Sequence, residues 1–401
     1  MNKTWIAIAT TTAASALAML AACANEGETG ALPPEERNAP VPDPAADAGG
    51  ADAQSDASVC VEDCEYYPDE CTDDALCANA LFGTSATSDG LDLRTHVHAL
   101  AARSPTDAWL IGTVGVAAHF DGTSWKRSVT DTQHSFYGFW LHGSTEIAFD
   151  DPTRLYTRGR ATDAGAPVSA GGWSFLGTAA VHHAWAELYG RVSTSWAHPD
   201  STSLWVGVTT RHTRGGLWRM RESDDGQLAF VPATLDKCGE VPCQEVYGIN
   251  GRSADEVWAV GPRGAAFRVT NAEADEPTLT GFNTQTVIAL HGVWVAGPND
   301  VWAVGSTGTV RRWRGDPRFF EAYDEVPTTQ HLRVIAGSSP SDIWIAGDEG
   351  TVFHYDGAEW TQMKVAGLGG RRPRLQHIWI PSPGKVWIAG QGVLLSLGGK
   401  P

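Results

Sequence analysis

Along this chain, short apolar runs closed by glycine alternate with polar turns, and one such run keeps returning. Asn299 to Trp313 reads NDVWAVGSTGTVRRW, with related copies at Thr106 to Trp125, Asp255 to Val269, Ser341 to Trp360 and Gly384 to Leu397. A weaker copy spans Thr202 to Met220. The run from Val301 to Gly305 lacks polar alternation, is β-branched and aromatic, and is too short for a helix. It therefore predicts a strand buried on both faces. A glycine-bearing turn follows, then an alternating strand such as Thr351 to Tyr355, then Asp356-Gly357, then a strand opened by Trp360. Asp-Gly between strand-like runs signals a hairpin, because glycine accepts the positive φ of a tight turn. An apolar segment before each tryptophan run, such as Leu332 to Ala336, completes a unit of four antiparallel strands.

Spacing selects the architecture. The tryptophan-strand marker falls at Trp109, Ala148 (a degenerate copy), Trp205, Trp258, Trp302, Trp344 and Trp387, at intervals of 39, 57, 53, 44, 42 and 43 residues. A period of ~40–50 residues with no helical periodicity predicts an all-β, seven-bladed β-propeller of four-stranded antiparallel blades, here over 79–401. A lone blade leaves both apolar faces uncovered, so neighbours must stack on it. The last copy stops at Pro401 without room for an outer strand. Ala80 to Thr84 is expected to supply that strand and close the ring, removing a free sheet edge. The longer intervals hold an insertion at 158–172 in the second blade and a link at 177–187 to the third.

The D-x-W-A-V-G…G-T-V…D-G-x-x-W unit resembles repeats of secreted bacterial propellers related to the BNR/Asp-box class, and those of photosystem II assembly-factor type. The resemblance covers roughly residues 80 to 401 and implies a fold rather than an activity, since the class mixes glycosidases with proteins of no known activity. The Asp-box itself survives only in part, at Ser223 to Gly226 and Phe120 to Trp125.

Ahead of the repeats, Lys3 and the apolar stretch Trp5 to Leu20 read as an export signal over 1–22, too short and weak to span a membrane. Leu20-Ala21-Ala22-Cys23 resembles a bacterial lipoprotein processing site, which implies acylation of Cys23. Several acyl chains anchor a protein stably. Ala24 after Cys23, by resemblance to outer-membrane lipoproteins, implies an outer-membrane location. Residues 23–58 are rich in Pro, Ala, Gly and acid and read as a disordered tether. Between Ala24 and Cys77 fifteen acids face the single base Arg37, whereas the whole chain carries −18. The acidity thus belongs to the stalk, and it disfavours nucleic acid or anionic lipid as partners.

Cys60, Cys64, Cys71 and Cys77 crowd into 59–78, an exported segment that reads as two disulfides with three possible pairings. A zinc site would want C-x₂-C pairs, and calcium a D-x-D-x-D-G loop; neither is present, so no metal is expected. Cys238 and Cys243 are expected to pair and pin the loop entering the fourth blade.

One column stands out when the copies are aligned. Eleven residues before the marker, near the start of each inner strand, stand His98, Tyr137, Tyr247, His291, Arg333 and Gln376, with Ser193 or Thr194 in the third blade. Inner strands surround a propeller's axis, so this column is expected to form a polar, partly aromatic ring at the channel mouth. Aromatic faces with a few fixed donors suit a sugar or a peptide end. The plain structural reading is a wet lining whose polar groups only satisfy backbone or water.

Candidates for catalysis are sparse. A sialidase-like reaction could draw on Arg333, Tyr137, Tyr247 and Glu245, but the F-R-I-P signature is missing. A two-carboxylate glycosidase needs acids about 5–10 Å apart. Asp150 and Asp151 read instead as a turn before Pro152. His98, His291 and His377 could serve a lyase or a metal, though lone strand histidines are more often just hydrogen-bonded. No phosphate loop or Ser-His-Asp signature is present, and no cofactor is expected. The expectation is a lipid-anchored, monomeric cell-envelope propeller that binds a glycan or envelope protein at its mouth without catalysis. A glycan-active hydrolase or lyase, and a structural assembly factor working through its rim, are the alternatives.

Overall fold

The computed structural model describes residues 65–83, 90–160, 165–177, 179–185, 190–209, 215–223, 226–234, 237–239 and 241–399. The chain divides into two compact units, Met1–Ala57 and Ser58–Pro401, and every described residue belongs to the second. The proposed signal, Cys23, Cys60 and Cys64 lie outside the described residues.

Seven antiparallel sheets follow one another along the chain, and their inner strands contact each other in sequence. The first sheet is Val97–Ser104, Asp107–Gly112, Ala117–Phe120 and Trp125–Ser128. The sixth repeats it as Leu332–Ser339, Asp342–Gly347, Val352–Tyr355 and Trp360–Gln362. This is a seven-bladed β-propeller, as the tryptophan spacing predicts. The second strand of each blade is the apolar run read from the sequence, and Trp109, Trp205, Trp258 and Trp302 are essentially inaccessible. They fill the gaps between blades, as in the packing of Trp258 against Phe282, Trp313 and Phe320.

The seventh blade corrects one expectation. Its fourth strand is Leu76–Ala78, antiparallel to Val393–Leu397 with Leu76 opposite Leu397 and Ala78 opposite Leu395. From the segment expected in that role (80–84), Phe82–Gly83 pairs instead in parallel with Leu91–Asp92, outside the blade, and residue 84 is outside the described residues. The boundary set at 78/79 therefore leaves a propeller strand outside the propeller. Gly398 N–H donating to Ala75 O at 2.7 Å extends the pairing of Leu76–Ala78 with Val393–Leu397, Val365–Ala366 lies in parallel on the other side, and the Cys71–Cys77 disulfide ties the strand to the segment before it. That bridge and Cys238–Cys243 are both formed.

The second and third blades are the irregular ones. Where Ala148 replaces the tryptophan, Trp173 from the outer strand packs edge-on against Trp109 with ring centroids 5.8 Å apart. In the third blade, Ala180–Val181 adds a fifth strand, parallel to Leu228–Pro232. Asp150 and Asp151 sit in a turn, both paired with Arg154.

Candidate functional site

All inner strands begin on the same face, and the glycine ending each tryptophan run fixes where. Antiparallel pairing puts Gly305, Gly347 and Gly390 opposite Leu290, Leu332 and Leu375. A Cβ on those glycines would stand 2.2, 2.1 and 1.9 Å from the carbonyl oxygens of Ala289, His331 and Arg374, so only glycine lets the backbones meet. The next inner-strand residue is in each case the one from the polar column: His291, Arg333 and Gln376.

These residues converge on a cavity of about 350 Å³ between the inner strands. His98, Tyr247, His291, Arg333 and Gln376 line it, and so do both Ser193 and Thr194, where a register shift after Val192 accommodates an extra residue. Tyr137 does not join the lining. Its ring packs on His98 instead, with centroids 4.3 Å apart. Two residues further along their strands, Leu100, Trp196, Ile249, Val293, Ile335 and Ile378 line the same cavity. At about 3.3 Å per strand residue, a polar level is followed by an apolar one roughly 7 Å deeper.

Arg333 organises one side. Its Nε and Nη2 donate to the two oxygens of Asp348 at 2.9 and 2.6 Å, and Nη1 lies 3.2 Å from His291 Nε2. Arginine only donates, so His291 Nε2 is the acceptor and the imidazole is neutral. Burial, then the charges of Arg333 and His331, push the His291 pKa down to about 4. Arg374 Nε donates to the same Asp348 at 3.0 Å, leaving one carboxylate between two guanidiniums. Burial raises the Asp348 pKa, but the Arg333 hydrogen bond and both arginine charges outweigh it and hold the group below the usual carboxylate range. Burial followed by the neighbouring His96 takes His98 to about 4; burial followed by His98 does the same to His377, although part of its surface still borders the cavity. All three imidazoles are therefore uncharged at neutral pH.

Tyr247 stacks on His291 at 5.6 Å and donates its hydroxyl to Glu245 at 2.9 Å. Burial, then the bond to Glu245, push its pKa up to about 12. A tyrosine nucleophile next to a glutamate would need the opposite shift. No aspartate or glutamate is among the cavity-lining residues, and no group of three His, Cys, Asp or Glu among the described residues could hold a metal.

Two features escaped the sequence reading. Asp348 follows the run-ending glycine, at the place where another copy has Ser306; Ser306 Oγ pairs with His291 at 2.9 Å as Asp348 pairs with Arg333. The signal was an acid in this turn of the copy whose column residue is arginine. The second is an acid two residues before the marker, paired with a base ten residues after it. Asp107–His119, Glu146–Arg158, Asp300–Arg312 and Asp342–His354 are 2.9, 3.1, 2.7 and 2.8 Å apart. This spacing of twelve also occurs in the copy that lost its tryptophan.

No protein-family profile and no curated protein matches the sequence. Solved structures do. The propeller of YCF48 bound to D1 peptide superposes with a TM-score of 0.54 at 17% identity, covering 76% of this chain and 91% of that one. YCF48 from Cyanidioschyzon merolae gives 0.54 at 13% identity, covering 76% and 95%. A streptogramin B lyase gives 0.53 at 14% identity, covering 75% and 92%. At these identities the likeness is one of fold.

Proposed function

We propose that this propeller is a non-catalytic binding module of the cell envelope that takes a segment of a protein partner into its central cavity. One observation carries the reading. The cavity presents donors and aromatic faces at its polar level and apolar side chains, five aliphatic ones and Trp196, below, with no carboxylate in the lining. Neutral imidazoles, a tyrosine held protonated and an arginine already paired with Asp348 fit recognition better than acid–base or nucleophilic work. The YCF48 propeller described with a D1 peptide is a case of this fold holding a peptide.

Anchoring through acylated Cys23, at the outer membrane, belongs to the same proposal. It rests on the Leu20-Ala21-Ala22-Cys23 pattern and the acidic tether after it. Incorporation of a tagged fatty acid into the chain, abolished by Cys23→Ala, checks the anchor. The soluble chain from Ala24, presented with envelope-protein peptides and with a glycan array, checks the ligand. Peptide binding that Tyr247→Ala and Arg333→Ala weaken at least tenfold is expected. Binding of neutral glycans alone, or variants that bind like the parent, refutes the reading.

A further inference from the structure

Arg333, Gln376 and His98 come from the sixth, seventh and first blades, so they form an unbroken arc of the cavity wall. The arc offers nitrogen donors. Arg333 spends three of its five N–H groups on Asp348 and His291, leaving two. The Gln376 amide makes no hydrogen bond among the described residues, and the enclosed Nε2 of His98 has none either. Enclosed nitrogens without a partner also occur on Trp109, Trp205 and Trp302, so the half-buried Gln376 amide and the two free Arg333 N–H groups, which border the cavity, are what mark the arc. Charge agrees with this. Asp348 is shared as counter-ion by Arg333 and Arg374, which leaves the Arg333 guanidinium only partly neutralised on this side of the mouth. Below the arc, Leu100, Ile335 and Ile378 supply an aliphatic wall on the same three blades.

We infer that the arc Arg333–Gln376–His98 is a carboxylate subsite, and that it receives the free C-terminus of a peptide whose last side chain is aliphatic and rests on Leu100, Ile335 and Ile378. The carboxylate takes the two remaining Arg333 N–H groups and the Gln376 amide N–H, and lies beside the neutral His98 ring. An acidic sugar carries the same anionic group but has no aliphatic side chain for the deeper wall. The inference rests on the binding reading above and adds which end of the partner enters.

The test uses the whole mature chain, selectively labelled at histidine, with N-acetyl-leucine, N-acetyl-leucinamide and galacturonic acid as probes. The imidazole resonances of His98 and His291 are followed by NMR during titration. Saturable shifts with N-acetyl-leucine, at least tenfold weaker with the amide and with galacturonic acid, are expected. Gln376→Ala and Arg333→Gln should each weaken the acid at least fivefold while leaving the amide unchanged. Gln376→Ala keeps the test valid if Arg333→Gln unfolds the chain. Equal affinity for acid and amide overturns the carboxylate subsite and leaves peptide binding standing. Tighter binding of galacturonic acid than of N-acetyl-leucine overturns the peptide C-terminus as the occupant and, with it, the peptide reading. No shift with any probe overturns the subsite.

Discussion

Two sets of polar side chains recur around the ring at fixed offsets from the same tryptophan, and their bonding differs. In four blades the acid at two residues before and the base at ten residues after are bound to each other, across adjacent strands of one hairpin. In the fourth blade Glu256 accepts from Trp258 Nε1 at 3.0 Å and Arg268 lies over the Trp258 ring. In the fifth and sixth blades the base also covers the indole, with Arg312 at 4.2 Å over Trp302 and His354 stacked at 4.1 Å on Trp344. The set eleven residues before, at the cavity, is only half satisfied: Arg333 and His291 have partners, whereas His98 Nε2 and Gln376 have none among the described residues. A buried polar group without a partner costs about 1–3 kcal/mol. Repetition alone thus does not separate structural from ligand-facing positions, since both sets repeat. In the four blades that carry the acid–base pair, the bonding state does.

The comparison breaks most visibly at the centre of the paired set. Trp302→Ala removes an inaccessible indole from between the fifth and sixth blades, where Tyr323 and Trp360 pack edge-on against it. A loss of about 3–5 kcal/mol is expected in urea unfolding. A loss under ~1 kcal/mol would mean that the paired set is ornamental.

Acid titration reads the cavity set next. His98, His291 and His377 have native pKa values pushed down to about 4, against 6.5 for an ordinary histidine. Between those limits the unfolded chain takes up protons that the native chain refuses, so stability falls as pH drops from about 6.5 towards 4. Each imidazole contributes a slope of roughly 1.4 kcal/mol per pH unit within that window. His377→Gln should flatten the slope of unfolding free energy against pH by up to one proton.

A smaller effect tests whether the paired set works as a unit. Asp342 accepts from Trp344 Nε1 at 2.9 Å and pairs with His354 at 2.8 Å. Asp342→Ala leaves both without their partner and should cost about 1–3 kcal/mol. Combined with His354→Ala, the two losses should be less than additive, by about 0.5 kcal/mol or more.

The blade count and the cavity column were legible from the sequence because both are local: a strand-length run and a fixed offset within one unit. What stayed hidden depends on contacts between distant segments. Ala80 to Thr84 looked like a strand because Leu81 and Phe82 are apolar and lie nearest the repeats. Leu76–Ala78 takes the place through Val365–Ala366, some 290 residues away, and through the 71–77 bridge. The acid–base pairs went unread because their members are twelve residues apart on different strands, and the base alternates between histidine and arginine. Tyr137 falls in its column by offset alone, yet its blade is the one without a marker tryptophan, and its ring packs on His98 rather than into the cavity.

The smallest predicted change in stability is also the one that best separates the two sets. Gln376 lies on the second residue of its inner strand, and its amide is bonded to nothing described. A group without a protein partner leaves none stranded when it is removed, and the aliphatic Leu375 and Ile378 beside it still pack against the seventh-blade core. Gln376→Ala should therefore change unfolding free energy by less than about 0.5 kcal/mol. The contrast with Asp342→Ala is the point of the measurement, because both residues are polar, partly buried and repeated at fixed register. If Gln376→Ala costs as much as Asp342→Ala, the amide is holding the ring together, and the cavity column joins the structural set.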